Sequence, residues 1–242
     1  PLSSVQKQYV ENANVSGHTL LGIINDILDF SKIEAGMMNL ESVKTDMIEL
    51  LEDSIDIIKY AAGKKSLEVL LSFRSDFPRF AMIDPIRLKQ VFANLLSNAT
   101  KFTEKGEIEL KVIFEPMEGR LGKFTFLVRD TGIGISEAQK EKLFKSFSQA
   151  DSSTTRRFGG TGLGLSISQM IVEKMNSTIH VESQPGEGST FYFDLITEVE
   201  EGERIIPSSI HTIHRCLIID DNANNRMILE HMLAGWQIDT AS

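Results

Sequence analysis

The chain has a single cysteine, Cys216, which excludes an internal disulfide and any cysteine-rich metal centre and fits a reducing, cytoplasmic setting. It has no apolar run near the roughly 20 residues that a membrane helix needs, and no signal peptide opens the residues given. Direct membrane contact is therefore not expected of this segment, although a parent protein could be anchored. Positive charge is also scarce. With 25 Lys and Arg against 34 Asp and Glu, the net charge is -9 and the pI about 5.1, which argues against nucleic acid as the main partner. Neither G-x-G-x-x-G nor G-x-x-x-x-G-K-[ST] occurs, so dinucleotide-fold and P-loop readings are disfavoured. What remains is an ordinary globular composition, 41% hydrophobic and 24% charged, over 242 residues, enough for one or two domains.

The most informative stretch is RRFGGTGLGLSIS, Arg156 to Ser168. Gly159, Gly160, Gly162 and Gly164 precede an apolar-periodic helix carrying Leu165, Ile167, Met170, Ile171 and Met175. Glycine admits positive φ and close backbone approach, and the free N–H groups of a helix start attract anions, so the stretch reads as a phosphate cradle. A mobile loop between two elements is the plainer alternative. Helix-end attraction is worth only about 0.3–1 kcal/mol, whereas micromolar binding needs about 8 kcal/mol. Other groups must therefore contribute.

Asn94 and Asn98 lie one helical turn apart in DPIRLKQVFANLLSNATKF, with Lys101 a turn further on. An amide oxygen is a hard, neutral ligand suited to Mg2+, and a nearby lysine can neutralise phosphate; backbone capping is the alternative role for such a pair. Asp130 ends a strand directly before Gly132 and Gly134, where a carboxylate could accept from an exocyclic amine and the glycines could admit a flat ring. A capped tight turn explains DTGIGIS equally well. Phe144 and Phe147 read as core or as a lid latch. Arg156 and Arg157, beside the glycines, favour phosphate contact over a merely solvated pair.

Along the chain, Pro1 to Ser4 reads as a turn and Val5 to Ala35 as one long helix ending at Gly36. Its stripe of Leu20, Leu21, Ile24, Ile27, Leu28, Phe30 and Ile33 cannot be buried by the helix alone. Helices are expected at Thr45 to Ala62, Ile86 to Phe102 (capped by Asp84 with Pro85 first) and Glu137 to Phe144. Strands are expected at Leu67 to Phe73, Glu107 to Phe114, Lys123 to Arg129, Thr178 to Ser183 and Ser189 to Leu195, with a proline-marked loop around Pro78. This order suggests an α+β fold, a two-layer sandwich with helices on one face of a mixed sheet. Glu198 to His214 reads as a linker, and Arg215 to Ser242 as a βαβ opening.

In order and spacing, NLLSNATKF, DTGIGIS, LFKSFSQADSSTTRRFGGTGLGLSIS and PGEGSTF resemble the N, G1, F, G2 and terminal glycine boxes of sensor histidine kinases in the GHKL ATP-binding superfamily. INDILDFSKIEAG is similar to the second helix of their dimerisation and phosphotransfer hairpin, and IIDDNANNRMILEHML to the start of a receiver domain, as in hybrid kinases. The resemblance implies four segments: residues 1–39, half a hairpin; 40–197, an ATP-binding domain with a Bergerat-type sheet; 198–214, a linker; and 215–242, the opening of a flavodoxin-like receiver. It implies ATP and Mg2+ as ligands, with Asn98 on the metal and Asn94 and Lys101 beside the phosphates. Asp130 would read the adenine amine, with Gly132, Gly134 and Thr190 near the base, and Phe102 and Ile135 are further ATP-binding positions. Gly160, Thr161, Gly162, Leu163, Gly164 and Leu165 would wrap the phosphates, under a lid of Ser146 to Phe158 that includes Phe147, Arg156 and Arg157 and is preceded by Phe144, a further ATP-site position. Asp220 and Asp221 match the receiver's acidic pair.

The implied partners are a second copy through the hairpin, a histidine-bearing hairpin helix, and an attached or separate receiver. The phosphoacceptor box of the H-E-[IL]-R-T-P type is missing from the chain, as is its acidic base, and His18 in SGHTLLG reads as structural. No catalytic residue is therefore expected within the chain itself. Two rivals share the motifs: a GHKL ATPase acting as a conformational switch, and a nucleotide-sensing module that transfers no phosphate.

Overall fold

The computed structural model describes residues 2–74, 77–145, 162–200, 214–234 and 238–241. It opens with α1 (Ser4–Glu34), started by a reciprocal capping box between Ser3 and Gln6. Gly36, at φ +70, supplies the left-handed residue just past its end. Then come β1 (Val43–Asp46) and α2 (Met47–Lys65), whose first N–H groups are capped by the Asp46 carboxylate. Thr45 and Asp46, expected within that helix, instead belong to the strand before it. The strands β2 (Glu68–Phe73) and β3 (Phe80–Ile83) lead into α3 (Pro85–Phe102), with Asp84 as its cap and Pro85 in its first turn. β3 falls in what reads from sequence as a proline-marked loop.

β4 (Glu107–Pro116) and β5 (Leu121–Asp130) form a long hairpin. Only Glu137–Lys140 is helical (α4) in the segment expected to be a helix as far as Phe144; the following residues are turns. α5 (Gly164–Lys174), β6 (His180–Gln184) and β7 (Gly188–Glu200) follow. β7 outruns its expected end: Glu198 pairs with Leu121, while Val199 and Glu200 pair with Ala81 and Phe80. The first three residues of the expected linker are thus strand.

The strands make a mixed sheet in the order β1-β3-β7-β5-β4-β2, with β6 also paired to β7. β2 and β4 are parallel and the other pairs antiparallel. Burial alternates along β5, as period-two side chains require when one face is covered. α3 fills that face: Leu88, Val91, Phe92, Leu95 and Leu96 are buried, and the Phe92 ring meets Phe126 edge-on at 5.3 Å. The last turns of α1 join this core through Ile33 and Phe30, and Asp29 accepts from Gln90 at 2.8 Å. Upstream, Leu20, Leu21, Ile24, Ile27 and Leu28 of α1 lie exposed.

A smaller unit ends the described chain. β8 (Arg215–Leu217) and β9 (Asp239–Ala241) pair in parallel across α6 (Ala223–Ala234). It touches the main sheet through Asn222, which donates to Glu68 and, at 2.9 Å, to Glu107, and through Asn224, which donates to Glu107 at 2.5 Å.

Candidate functional site

α3 is amphipathic, and its apolar stripe fixes which way its polar residues turn. Asn94 and Asn98 are half-buried on one side, the Asn98 amide donating to Asn94 Oδ1 at 3.4 Å and the Asn94 amide to Ser168 Oγ of α5 at 2.9 Å. The start of α5 abuts this pair so closely that a Cβ on Gly164 would lie 2.4 Å from Asn94 Oδ1. Gly162, at φ +70, takes a conformation that side chains resist, and Leu163 is anchored in the core. Among the described residues no side chain caps the first N–H groups of α5. A helix start of this kind favours an anion, here beside the two amides. One turn on, burial pushes the Lys101 ammonium below the ordinary lysine range. A desolvated cation in that position gains most from an anionic neighbour.

The second part of the site lies at the C-terminal end of α3, about 12 Å along the axis from Asn94 at the helical rise per residue. Asp130, 6% exposed, ends β5 and accepts from Gly132 N–H at 2.8 Å. Burial raises its carboxyl above the usual aspartate range, against the lowering effect of backbone donors from Gly132 and Ser189. The loop after it is pinned to α3 by a bond from Ile133 N–H to the Phe102 carbonyl at 3.3 Å. Ile135 N–H donates to Ser183 Oγ at 2.8 Å, joining the loop to β6.

The two loop glycines are required by the protein itself. A Cβ on Gly132 would sit 2.5 Å from the Phe102 carbonyl oxygen, and one on Gly134, at φ +68, would sit 1.9 Å from that of Gln184. Their absent side chains let the loop nest against α3 and the β6–β7 turn. Whatever room they leave for a planar ring is secondary to this packing.

Not every expected site residue converges. Thr190 pairs with Arg129, and strand alternation puts it on the sheet face opposite Asp130. The residue level with Asp130 is its neighbour Ser189, buried and hydrogen-bonded to Ser183. Register, which one residue's shift inverts, decides between the two and cannot be read from PGEGSTF alone. Gly188, at φ +94, lets β7 begin against Asp130: a Cβ there would come within 2.0 Å of the Asp130 carbonyl oxygen. Phe144, Ile135 and Leu165 pack against the core as partly buried side chains, and Lys101 and Phe102 lie side by side, Nζ 5.0 Å from the ring centroid. Phe147, Arg156, Arg157, Gly160 and Thr161, with the rest of the expected lid, lie outside the described residues. The His18 side chain does too.

Comparison with known proteins places this geometry. Residues 83–198 match the family of histidine kinase-, DNA gyrase B- and HSP90-like ATPases. The chain is 40% identical over 233 residues to the sensor histidine kinase GacS of Pseudomonas protegens, covering 96% of this chain and 25% of that protein. It is 42% identical over 194 residues to the signal transduction histidine-protein kinase BarA of Escherichia coli, covering 80% of this chain and 21% of that one. The segment thus spans a quarter or less of these relatives. Among solved structures it resembles full-length ShkA in complex with AMPPNP, with a TM-score of 0.79 and 26% identity over 99% of this chain and 49% of that one.

Proposed function

We propose, from the premise that this chain belongs to the hybrid sensor histidine kinases and carries their ATPase catalytic region, that it binds Mg-ATP along α3 and passes the γ-phosphoryl group to a histidine on a separate hairpin helix. The observation that supports this reading is that α3 brings two polar clusters onto one helix, with Asn94, Asn98 and the α5 start against one stretch and the Asp130 loop against its end.

The residues suit the ligands. A helix start beside two amide side chains, approached closely because Gly164 has no Cβ, supports a phosphate chain with its cation, Asn98 being the candidate ligand. Mg2+ held there would supply charge neutralisation across the phosphate oxygens. Asn94, tied to Ser168, orients the neighbouring amide, and Lys101 adds positive charge. Asp130, held in place by the Gly132 N–H, accepts from the adenine amine, and Ser189 takes the place beside the base first expected of Thr190. The protein's share in such a transfer is mostly positioning and electrostatics.

The same reading extends to the flanks. The exposed apolar stripe of α1 supports pairing with a histidine-bearing helix and with a second copy in a hairpin bundle. The parallel β8–α6–β9 unit supports the beginning of a receiver, with Asp220 and Asp221 as its acidic pair; there the Asp220 carboxylate accepts from Asn225 at 2.6 Å. The working segments are then residues 1–39, 40–200 and 214–242. Among the described residues no helix is long and apolar enough to cross a membrane.

The deciding experiment is nucleotide titration of Asn98→Ala at varied Mg2+. Loss of Mg2+-dependent affinity is expected, and an unchanged titration would remove Asn98 from the site. Labelled ATP should leave no acid-labile phosphate on this chain alone but should label a supplied hairpin bearing the histidine box. Nucleotide binding with no labelling of that hairpin would point to a switch or a nucleotide-sensing module.

A further inference from the structure

Lys65 is the last residue of α2, outside every motif, yet its ammonium reaches the end of the helix that carries the site. It donates to the carbonyl oxygens of Thr100 at 2.8 Å, Lys101 at 3.2 Å and Thr103 at 2.9 Å. An ammonium has three donor hydrogens, and three carbonyls meet it. The last carbonyls of a helix have no intrahelical partner, and a cation there also opposes the negative end of the macrodipole. α3 has no glycine or left-handed residue to close it, because its C-cap, Thr103, is extended at φ -104. Glu104, 3.9 Å from Lys65 and mostly exposed, adds little. Lys65 is thus the principal closure of this helix end.

We infer that Lys65 is a positioning residue for adenine recognition, an inference that rests on the nucleotide site proposed above. The turn it holds carries Lys101 and Phe102, and the Phe102 carbonyl receives Ile133 N–H and packs against Gly132. A Cβ on Gly132 would sit within 2.7 Å of Asp130 Oδ1 and 2.5 Å of the Phe102 oxygen, so the carboxylate, the loop and the helix end are in mutual contact. If the final turn of α3 frays, the Phe102 carbonyl shifts and takes the Asp130 loop with it. Of the phosphate half, Lys101 shares the frayed turn, while Asn94, Asn98 and the α5 start, further back along α3, stay in place. The consequence is unequal: base readout suffers more than phosphate binding.

The test compares ATP with inosine triphosphate, which carries an oxygen in place of the adenine amine, by calorimetric titration with Mg2+ on the whole chain, alongside thermal melting without nucleotide. Lys65→Met is expected to weaken ATP about tenfold, in the range for losing hydrogen bonds from a charged donor, and inosine triphosphate much less. Lys65→Arg, which keeps the charge and several donors, should retain most of the preference. A lower melting temperature with the ATP preference intact would show Lys65 to be an ordinary helix cap and overturn the inference. Should Lys65→Met not fold, Lys65→Gln, too short and neutral to bond all three carbonyls, is read by the same two affinities. Wild-type protein that does not distinguish the two nucleotides would instead defeat the Asp130 reading on which this one stands.

Discussion

α1 and α3 both carry apolar residues at spacings of three and four, yet their fates differ. In α3 the stripe disappears under the sheet: Phe92 and Leu96 are fully buried. In α1, Leu20 is 58% exposed and Leu28 51%, and only the final turns reach the core through Phe30 and Ile33. The same helical pattern therefore marks an internal wall in one place and an exposed face in the other. Periodicity reports that a face must be covered, and what covers it is decided by the neighbours the chain itself provides.

The contrast can be broken most severely at Phe92. Phe92→Ala removes a ring wedged between Phe126 and Phe193 and should cost about 3–5 kcal/mol, seen as a lower denaturation midpoint. Leu28→Ala should change the stability of the dilute protein by no more than about 0.5 kcal/mol. Equal losses at the two positions would refute the distinction. Ile27→Asp should next sharpen it, abolishing the self-association proposed for this face, measured by sedimentation, while leaving nucleotide affinity unchanged. Loss of both together would mean that the face belongs to the catalytic domain.

A smaller effect is expected at Asp130, where burial holds the folded carboxyl above its ordinary value of 3.8. Between the unfolded and folded values the native state holds more protons, so stability falls as pH rises through that window, and the penalty is complete above it. Asp130→Asn should therefore melt a few degrees higher than wild type at pH 7 without nucleotide, with the gap closing as pH is lowered toward 3.8. The same variant should bind ATP more weakly and lose preference over inosine triphosphate. The least change is expected from Asn224→Ala, which removes one donor to Glu107. Burial pushes that carboxyl up, but hydrogen bonds from Asn222, Arg129 and Asn224 together with the Arg129 charge hold it below the usual range. Hydrogen exchange in β8 and α6 should quicken, with α3 unaffected.

Much of the catalytic region was legible in sequence because its signals are local. Asp84 with Pro85 announces α3, apolar alternation marks β4 and β5, and the glycines before Leu165 mark the start of α5. β1 and β3 were not legible: each is only four residues long and is held by pairing with a strand remote in the chain. The exchange of Thr190 for Ser189 has the same origin, since a glycine box fixes a turn but leaves open which residue faces Asp130. Lys65 escaped because helix capping from another helix leaves no motif. The glycines of DTGIGIS were recognised, but their strongest reason, contact with the Phe102 and Gln184 backbones, is three-dimensional.

The length of β7 has a practical consequence. Its last two residues carry the ladder pairing that joins the β3–β1 ribbon to the rest of the sheet, beside a bond from the Thr197 hydroxyl to the Met82 carbonyl, and an isolated two-stranded ribbon is marginal in water. Trimming the domain at Thr197 would remove that ladder pairing and the Lys44–Glu200 ion pair, and would loosen the strand whose Asp46 carboxylate starts α2. Any shortened version intended for crystallisation or ligand screening should retain Glu200.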